Sequence, residues 1–400
     1  MDAISMKVKE SSPSAPAGLI LLMAVSAGIT VANIYYSQPI LKEIQAEFKV
    51  SESSVGMIPM LSQIGYGLGL FFLTPLGDKM DKKKLILGLQ YLLIGALLLL
   101  FLTTQILYVW ILSVLIGVFA VAVQVITPMA AGLSSEHRGK NVGIIFTGVL
   151  VGILAARVFS GVITGWFGWR EIYLISLLAV GLSTVLLTCY LPHATPSFEG
   201  SYLRLLGSAL HQFRRFKLLR RLSAIGMLQF GLLSSFWTTL TFHLSGNPFN
   251  FGTGTIGLFG LVAVAGALAA PLMGKRADKG GVTTVRFVAI GMVAVSILLM
   301  WIGQNSTAMM VLGVLLLDIG AQSIQVSNIA LMYTLDASSH SRINTIYMTL
   351  FFTGGALGTL AGILSWHFGG WNWVMAQMFV SALAIVWLLS REKQLLTKEK

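Results

Sequence analysis

Apolar stretches recur along the whole chain, parted by short polar breaks. A helix rises 1.5 Å per residue, so about 20 apolar residues cross the hydrocarbon core of a bilayer. Twelve runs of that length stand out: Gly18–Leu41, Val55–Pro75, Leu85–Thr103, Ile106–Leu133, Val142–Gly165 and Ile172–Leu191, then, after a longer polar stretch, Ser223–Leu244, Thr255–Met273, Val285–Ile302, Ala308–Leu335, Ile343–Trp366 and Trp371–Leu389. The pattern predicts an all-α membrane protein. Its expected units are an N-terminal tail (1–17), a six-helix bundle (18–191), a basic linker (192–222), a second six-helix bundle (223–389) and a C-terminal tail (390–400). The first run is too long for the apolar region of a signal peptide and has no cleavage site, so it is expected to stay as a helix.

Composition agrees: 56% of the 400 residues are hydrophobic and 10% charged, against about 25% charged in soluble domains. The net charge of +12 would suit nucleic acid if it formed a patch, but the basic residues lie between the apolar runs. With the N-terminus inside, 23 of the 27 Lys and Arg fall on the cytoplasmic side, and only Lys42, Lys49 and Arg170 fall opposite. Cytoplasmic loops carry such an excess, so both termini are expected in the cytoplasm, in a cell's inner or plasma membrane, with no nucleic-acid partner. Arg204, Arg214, Arg215, Lys217, Arg220 and Arg221 with spaced leucines make the linker read as an amphipathic helix on an anionic membrane surface. The single cysteine, Cys189, excludes an internal disulfide and any CxxC site. No metal-ligand spacing, catalytic triad or nucleotide loop is present, so neither a cofactor nor catalysis is expected.

The halves repeat one another. Gly77-Asp78-Lys79-Met80-Asp81-Lys82 is echoed by Gly274-Lys275-Arg276-Ala277-Asp278-Lys279, Gly165-Trp166-Phe167-Gly168-Trp169 by Trp366-His367-Phe368-Gly369-Gly370-Trp371, and Gln124 by Gln325. Duplicated bundles of this kind are a transporter architecture.

The loop Gly77-Asp78-Lys79-Met80-Asp81-Lys82-Lys83-Lys84 resembles the signature of the major facilitator superfamily. Asn33-Ile34-Tyr35-Tyr36-Ser37-Gln38-Pro39 and Gln63-Ile64-Gly65-Tyr66-Gly67 are similar to the drug/proton antiporter branch of bacterial exporters. That resemblance implies two pseudo-symmetric six-helix bundles, and a gating role for Gly77, Asp78, Asp81, Lys82 and Lys83 and for their counterparts Gly274, Arg276 and Asp278. Asp78 would cap a helix or pair across the bundle in one conformation; its other role is topogenic charge alone. The fifth run departs from the branch, with Arg157 where Gly-Pro is usual. Its Gly148, Gly152 and Ala156, and Gly354, Gly358 and Gly362 in the eleventh, allow close helix approach, as would suit helices sliding at a domain interface.

Arg157 and Asp318 are the full charges deep inside apolar runs. Burying either costs at least about 2.5 kcal/mol, so each is a functional candidate, or a structural charge satisfied by carbonyls or by the other. Asp318 is the expected proton carrier, since a carboxyl group there can take up and release a proton as its surroundings alternate between two sides. Gln322, Gln325 and Asn328 share its helical face and would line a cavity. By the superfamily's arrangement, Asn33, Tyr36 and Gln38, Gln63, Gln124, Gln229 and Trp237 would complete it. Each Gln or Asn could equally bond between helices, and Tyr35, Tyr36, Trp237 and His243 could sit at the membrane interface. Three functions remain open: a monomeric transporter exporting a moderately hydrophobic or cationic small molecule with protons as coupling ion, a transporter of an anionic metabolite held by Arg157, or a sensor that carries nothing.

Overall fold

The computed structural model describes residues 16–134, 137–194, 196, 198, 200–276, 281–336 and 339–398, the side chains of 265–276 and 393–398 excepted. Its helices are α1 (Ala17–Ala32), α2 (Leu41–Phe48), α3 (Glu52–Phe72), α4 (Leu76–Lys79), α5 (Lys82–Leu102), α6 (Ile106–Ala120), α7 (Ala122–Gly132), α8 (Arg138–Phe167), α9 (Trp169–Tyr190), α10 (Tyr202–Arg215), α11 (Lys217–Ser245), α12 (Thr253–Arg276), α13 (Val282–Ile302), α14 (Thr307–Met332) and α15 (His340–Lys398). Eight described helices are long and apolar enough to cross a membrane. The longest, α15, makes two passes because Gly369 and Gly370 leave helical geometry, Gly370 at φ +59° where a side chain would be strained. With α6 and α7 as one pass, and α1, α11 and α12 completing the set, the chain crosses twelve times.

Local chemistry sets the boundaries. Ser51, Asp81 and Ser306 each accept a backbone N–H at the start of α3, α5 and α14, satisfying donors that a helix leaves free at its N-terminus. Gly168 at φ +115° turns α8 directly into α9. The first run, expected as one helix to Leu41, breaks at Ala32 into a turn and a short 3-10 helix, Gln38–Ile40. Asn33 donates through Nδ2 to the carbonyls of Ile29 and Thr30 (3.0 and 3.2 Å), and Pro39 supplies no N–H.

Glycines set the closest helix approaches. A Cβ on Gly152 would lie 2.2 Å from the Gly28 carbonyl oxygen, and one on Gly358 2.1 Å from that of Gly231. The α1–α8 contact of the first half thus recurs as α11–α15 in the second. Gly148, Gly152, Gly354, Gly358 and Gly362 therefore knit helices inside each half instead of lining the junction between halves. The junction is formed by α3 against α15 and α8 against α12, the latter on Gly161 and Gly257, where a Cβ would meet backbone at 2.5 and 2.7 Å. Between the halves in sequence, α10 buries Leu205, Leu206 and Ala209 and exposes Arg204, Arg214 and Arg215.

Candidate functional site

Where α1 breaks, Gln38 is carried inward and its Oε1 accepts from Arg157 Nε at 3.0 Å. Arg157, 6% exposed, lies with its guanidinium carbon 4.0 Å from the ring centre of Trp237 and 5.4 Å from that of Tyr35. Such stacking places the cation on the negative faces of aromatic rings. Thr241 Oγ1 donates to the Gln38 carbonyl at 2.7 Å, so the first half is fastened to the second at this point. Asp318 on α14 is 3% exposed and interacts electrostatically with Arg157, yet the two form no ion pair among the described residues. Among the described residues its Oδ2 has no hydrogen-bond partner, nor have Trp237 Nε1, Ser37 Oγ beside Gln38, and, elsewhere on α11, Thr238 Oγ1 and Gln229 Oε1. Buried polar atoms are almost always partnered, so Asp318 Oδ2 keeps an acceptor valence to spare beside Arg157.

The site draws on the α1 break, α8, α11 and α14, two elements from each half. Gln38, Arg157, Trp237 and Asp318, all named from the sequence, come together there, and Trp237 is buried instead of sitting at the membrane interface. Tyr36 turns away, edge-on to Tyr173 at 6.2 Å, and it is Tyr35 that faces Arg157. The sequence could not choose between neighbours in an irregular turn. Asn33 serves the helix break and accepts from Ser176 at 2.7 Å. His243, expected at the interface, is buried, stacks on Trp371 at 4.1 Å between ring centres and bonds the Gln304 carbonyl at 2.9 Å.

The other candidates lie apart. Gln63 Nε2 donates to Ser234 (3.2 Å) while its Oε1 accepts from Thr359 (3.3 Å), a bridge between halves. Gln124 donates to Tyr66 at 3.0 Å. The expected stripe below Asp318 divides: Gln322 is half-buried with no side-chain hydrogen bond among the described residues, while Gln325 and the fully buried Asn328 both bond Tyr347 (3.0 and 3.5 Å), so Asn328 is spent on packing between helices. Beside Tyr347 lies a charge pair that the sequence did not flag. Arg286, at the start of the ninth run, is 0% exposed and donates to Glu392 at 2.5 and 3.3 Å, close to Tyr347.

At the opposite end of the bundle from Gln38, the Asp78 loop borders a cavity of about 240 Å³ between the halves, together with Gln124, His340 and Asn344. Asp78 is within electrostatic reach of Lys82 and, across the halves, of Arg342. The helix cap falls to Asp81, not Asp78: Asp81 accepts from Lys83 N (3.0 Å), Ala194 N (3.0 Å) and His193 Nδ1 (2.5 Å). Burial works against its charge, but these donors hold its carboxyl below the usual carboxylate range. The Arg276 side chain and the surroundings of Gly274, and Asp278 altogether, lie outside what is described.

The sequence profile of the Major Facilitator Superfamily matches residues 21–359. The chain belongs to this superfamily. Among its relatives, the Escherichia coli O157:H7 transporter YgaY is 36% identical over 372 residues, covering 92% of this chain and 94% of that one. The Escherichia coli K12 inner membrane transport protein YnfM is 26% identical over 409 residues, covering 92% and 89%. A bacterial homologue of the human lysosomal transporter Spinster, solved inward-facing and unoccupied, shares the fold with a TM-score of 0.73 at 14% identity, over 92% of this chain and 95% of that one. This superfamily member is thus an integral membrane protein of transporter fold. The Arg157–Asp318 site lies between its halves, where rocking of one against the other would expose it to alternate sides.

Proposed function

We propose that this chain is a proton-coupled secondary transporter that exports a small, moderately hydrophobic molecule across the bacterial inner membrane, with both termini in the cytoplasm. The observation that carries this reading is Asp318: a buried carboxylate with an unpartnered oxygen, facing a buried arginine at the junction of four elements from both halves. Burying a charge inside a membrane protein costs at least about 2.5 kcal/mol, so such residues mark ion or substrate paths. Export and proton exchange follow from the likeness of the first two spans to the drug/proton antiporters. The position of the basic residues supports the orientation. A purely cationic substrate is poorly served, because its charge would share the site with Arg157. An anionic substrate is the second reading, favoured by the two Arg157 terminal nitrogens, which hold no hydrogen bond among the described residues.

Reconstituted protein in liposomes with an imposed pH gradient tests this. Gradient-driven solute movement should fall at least about tenfold in Asp318→Asn, while solute exchange without a gradient persists. Coupling intact in that variant removes Asp318 as the proton carrier. No flux of any cationic, neutral or anionic solute would favour the sensor.

A further inference from the structure

Resting on the transporter reading above, we propose that the Arg157–Asp318 site selects zwitterions, small molecules that carry both a carboxylate and an ammonium group on an apolar body. The unused valences point to this. Arg157 spends Nε on Gln38 and a face on Trp237, which leaves the edge bearing its two terminal nitrogens, the edge that receives a carboxylate in bidentate fashion. Asp318 Oδ2 is buried with nothing donating to it, and an ionised carboxylate only accepts, so its complement is a donor and best a positive one. The rings of Tyr35 and Trp237 supply apolar surface beside these groups.

Charge balance separates the substrate classes. Empty, the site holds one positive and one negative group that partly compensate each other without forming a pair. A monocation at Asp318 would leave Arg157 and the substrate as two positive charges around one carboxylate, and a monoanion at Arg157 would oppose Asp318. An isolated or like-charged ion in a poorly solvated site is strongly penalised. A zwitterion adds no net charge and gives each buried group its opposite. Exchange with protons follows: a proton that binds Asp318 removes the charge holding the ammonium, so proton and substrate compete for one carboxylate, and the substrate leaves intact as the proton arrives.

Matched triplets test the proposal: leucine, N-acetylleucine and leucinamide, with the corresponding sets built on phenylalanine and on the dipeptide leucylalanine. Transport into proteoliposomes under a pH gradient, and shifts in thermal unfolding of the purified protein, are read for each. In at least one set the zwitterion should be preferred at least about tenfold over both single-charge forms. Read as shifts in thermal unfolding and as solute exchange without a gradient, Asp318→Asn should turn the preference toward the N-acetyl anion and Arg157→Gln toward the amide cation, a reversal that a misfolded variant cannot give. A single-charge form that matches or exceeds its zwitterion in every set, or no response to any zwitterion, overturns the proposal. If proton-linked flux of some other solute then persists, the transporter reading stands without it; if no solute moves at all, both fall.

Discussion

Asp81 ties three segments of chain together with one carboxylate. It caps α5 through Lys83 and receives His193 and the Ala194 amide from the stretch that follows the sixth span, while Phe198 N donates to the Asp78 carbonyl at 3.0 Å. The signature loop is thereby strapped to the start of the linker. Asp81→Ala should cost about 1 kcal/mol as a lost cap and speed hydrogen exchange at Ala194 N–H; unchanged exchange would mean the strap is held elsewhere. Because these donors depress the Asp81 carboxyl in the folded state, its contribution is complete above the ordinary Asp value of about 3.9 and is lost only as pH falls below it. Protection of Ala194 should therefore persist through mild acid and fail in strong acid. At this scale the sequence was legible where a charge stood alone in an apolar run, as Arg157 and Asp318 did. It was silent where a charge lay near a predicted helix end: Arg286 is the second residue of its run and Glu392 falls in the expected C-terminal tail, and only packing shows them buried together.

The helices themselves were written plainly in the apolar runs, because lipid demands a fixed length and an internally bonded backbone. What stayed hidden was the break after Ala32, since Asn33 to Pro39 continues a run that is apolar enough to pass for helix. That break is what brings Gln38 to Arg157. The glycine spacing was visible too, but spacing alone does not say which neighbour a glycine admits. Gly358→Ala should destabilise by about 1–3 kcal/mol, since the new methyl would meet the Gly231 backbone at 2.1 Å, and Gly152→Ala should do the same against Gly28. Gly88, with nothing within 4 Å, is the control: Gly88→Ala should be neutral or stabilising by up to about 1 kcal/mol. Thermal unfolding in detergent measures all three, and equal shifts at Gly358 and Gly88 would show that α11 and α15 do not touch as closely as described.

Across the whole molecule, the halves are fastened at the Glu52 end and parted by the cavity at the Asp78 end. Trp366 Nε1 donates to Glu52 Oε2 at 2.7 Å, and Glu52 also pairs with Lys42 at 3.0 Å, so the start of α3 and the end of the first pass of α15 are joined across the halves. Alternating access requires these contacts to open as those around Asp78 close. A contact formed in only one of two states biases the equilibrium by its own free energy. Trp366→Phe keeps the ring and deletes a bond to a charged acceptor, worth about 1.5 kcal/mol at the low end, which would raise the share of molecules open at the Glu52 end about tenfold relative to the closed ones. Spin labels placed across that end, in a background where the exposed Cys189 is replaced by serine, would show this as a second, longer distance population. If the distance distribution is the same with and without the indole nitrogen, Glu52 and Trp366 do not hold the halves together, and closure at this end rests on the Gln38–Thr241 and Arg157–Trp237 contacts, which lie within the site itself and would link closure directly to its occupancy.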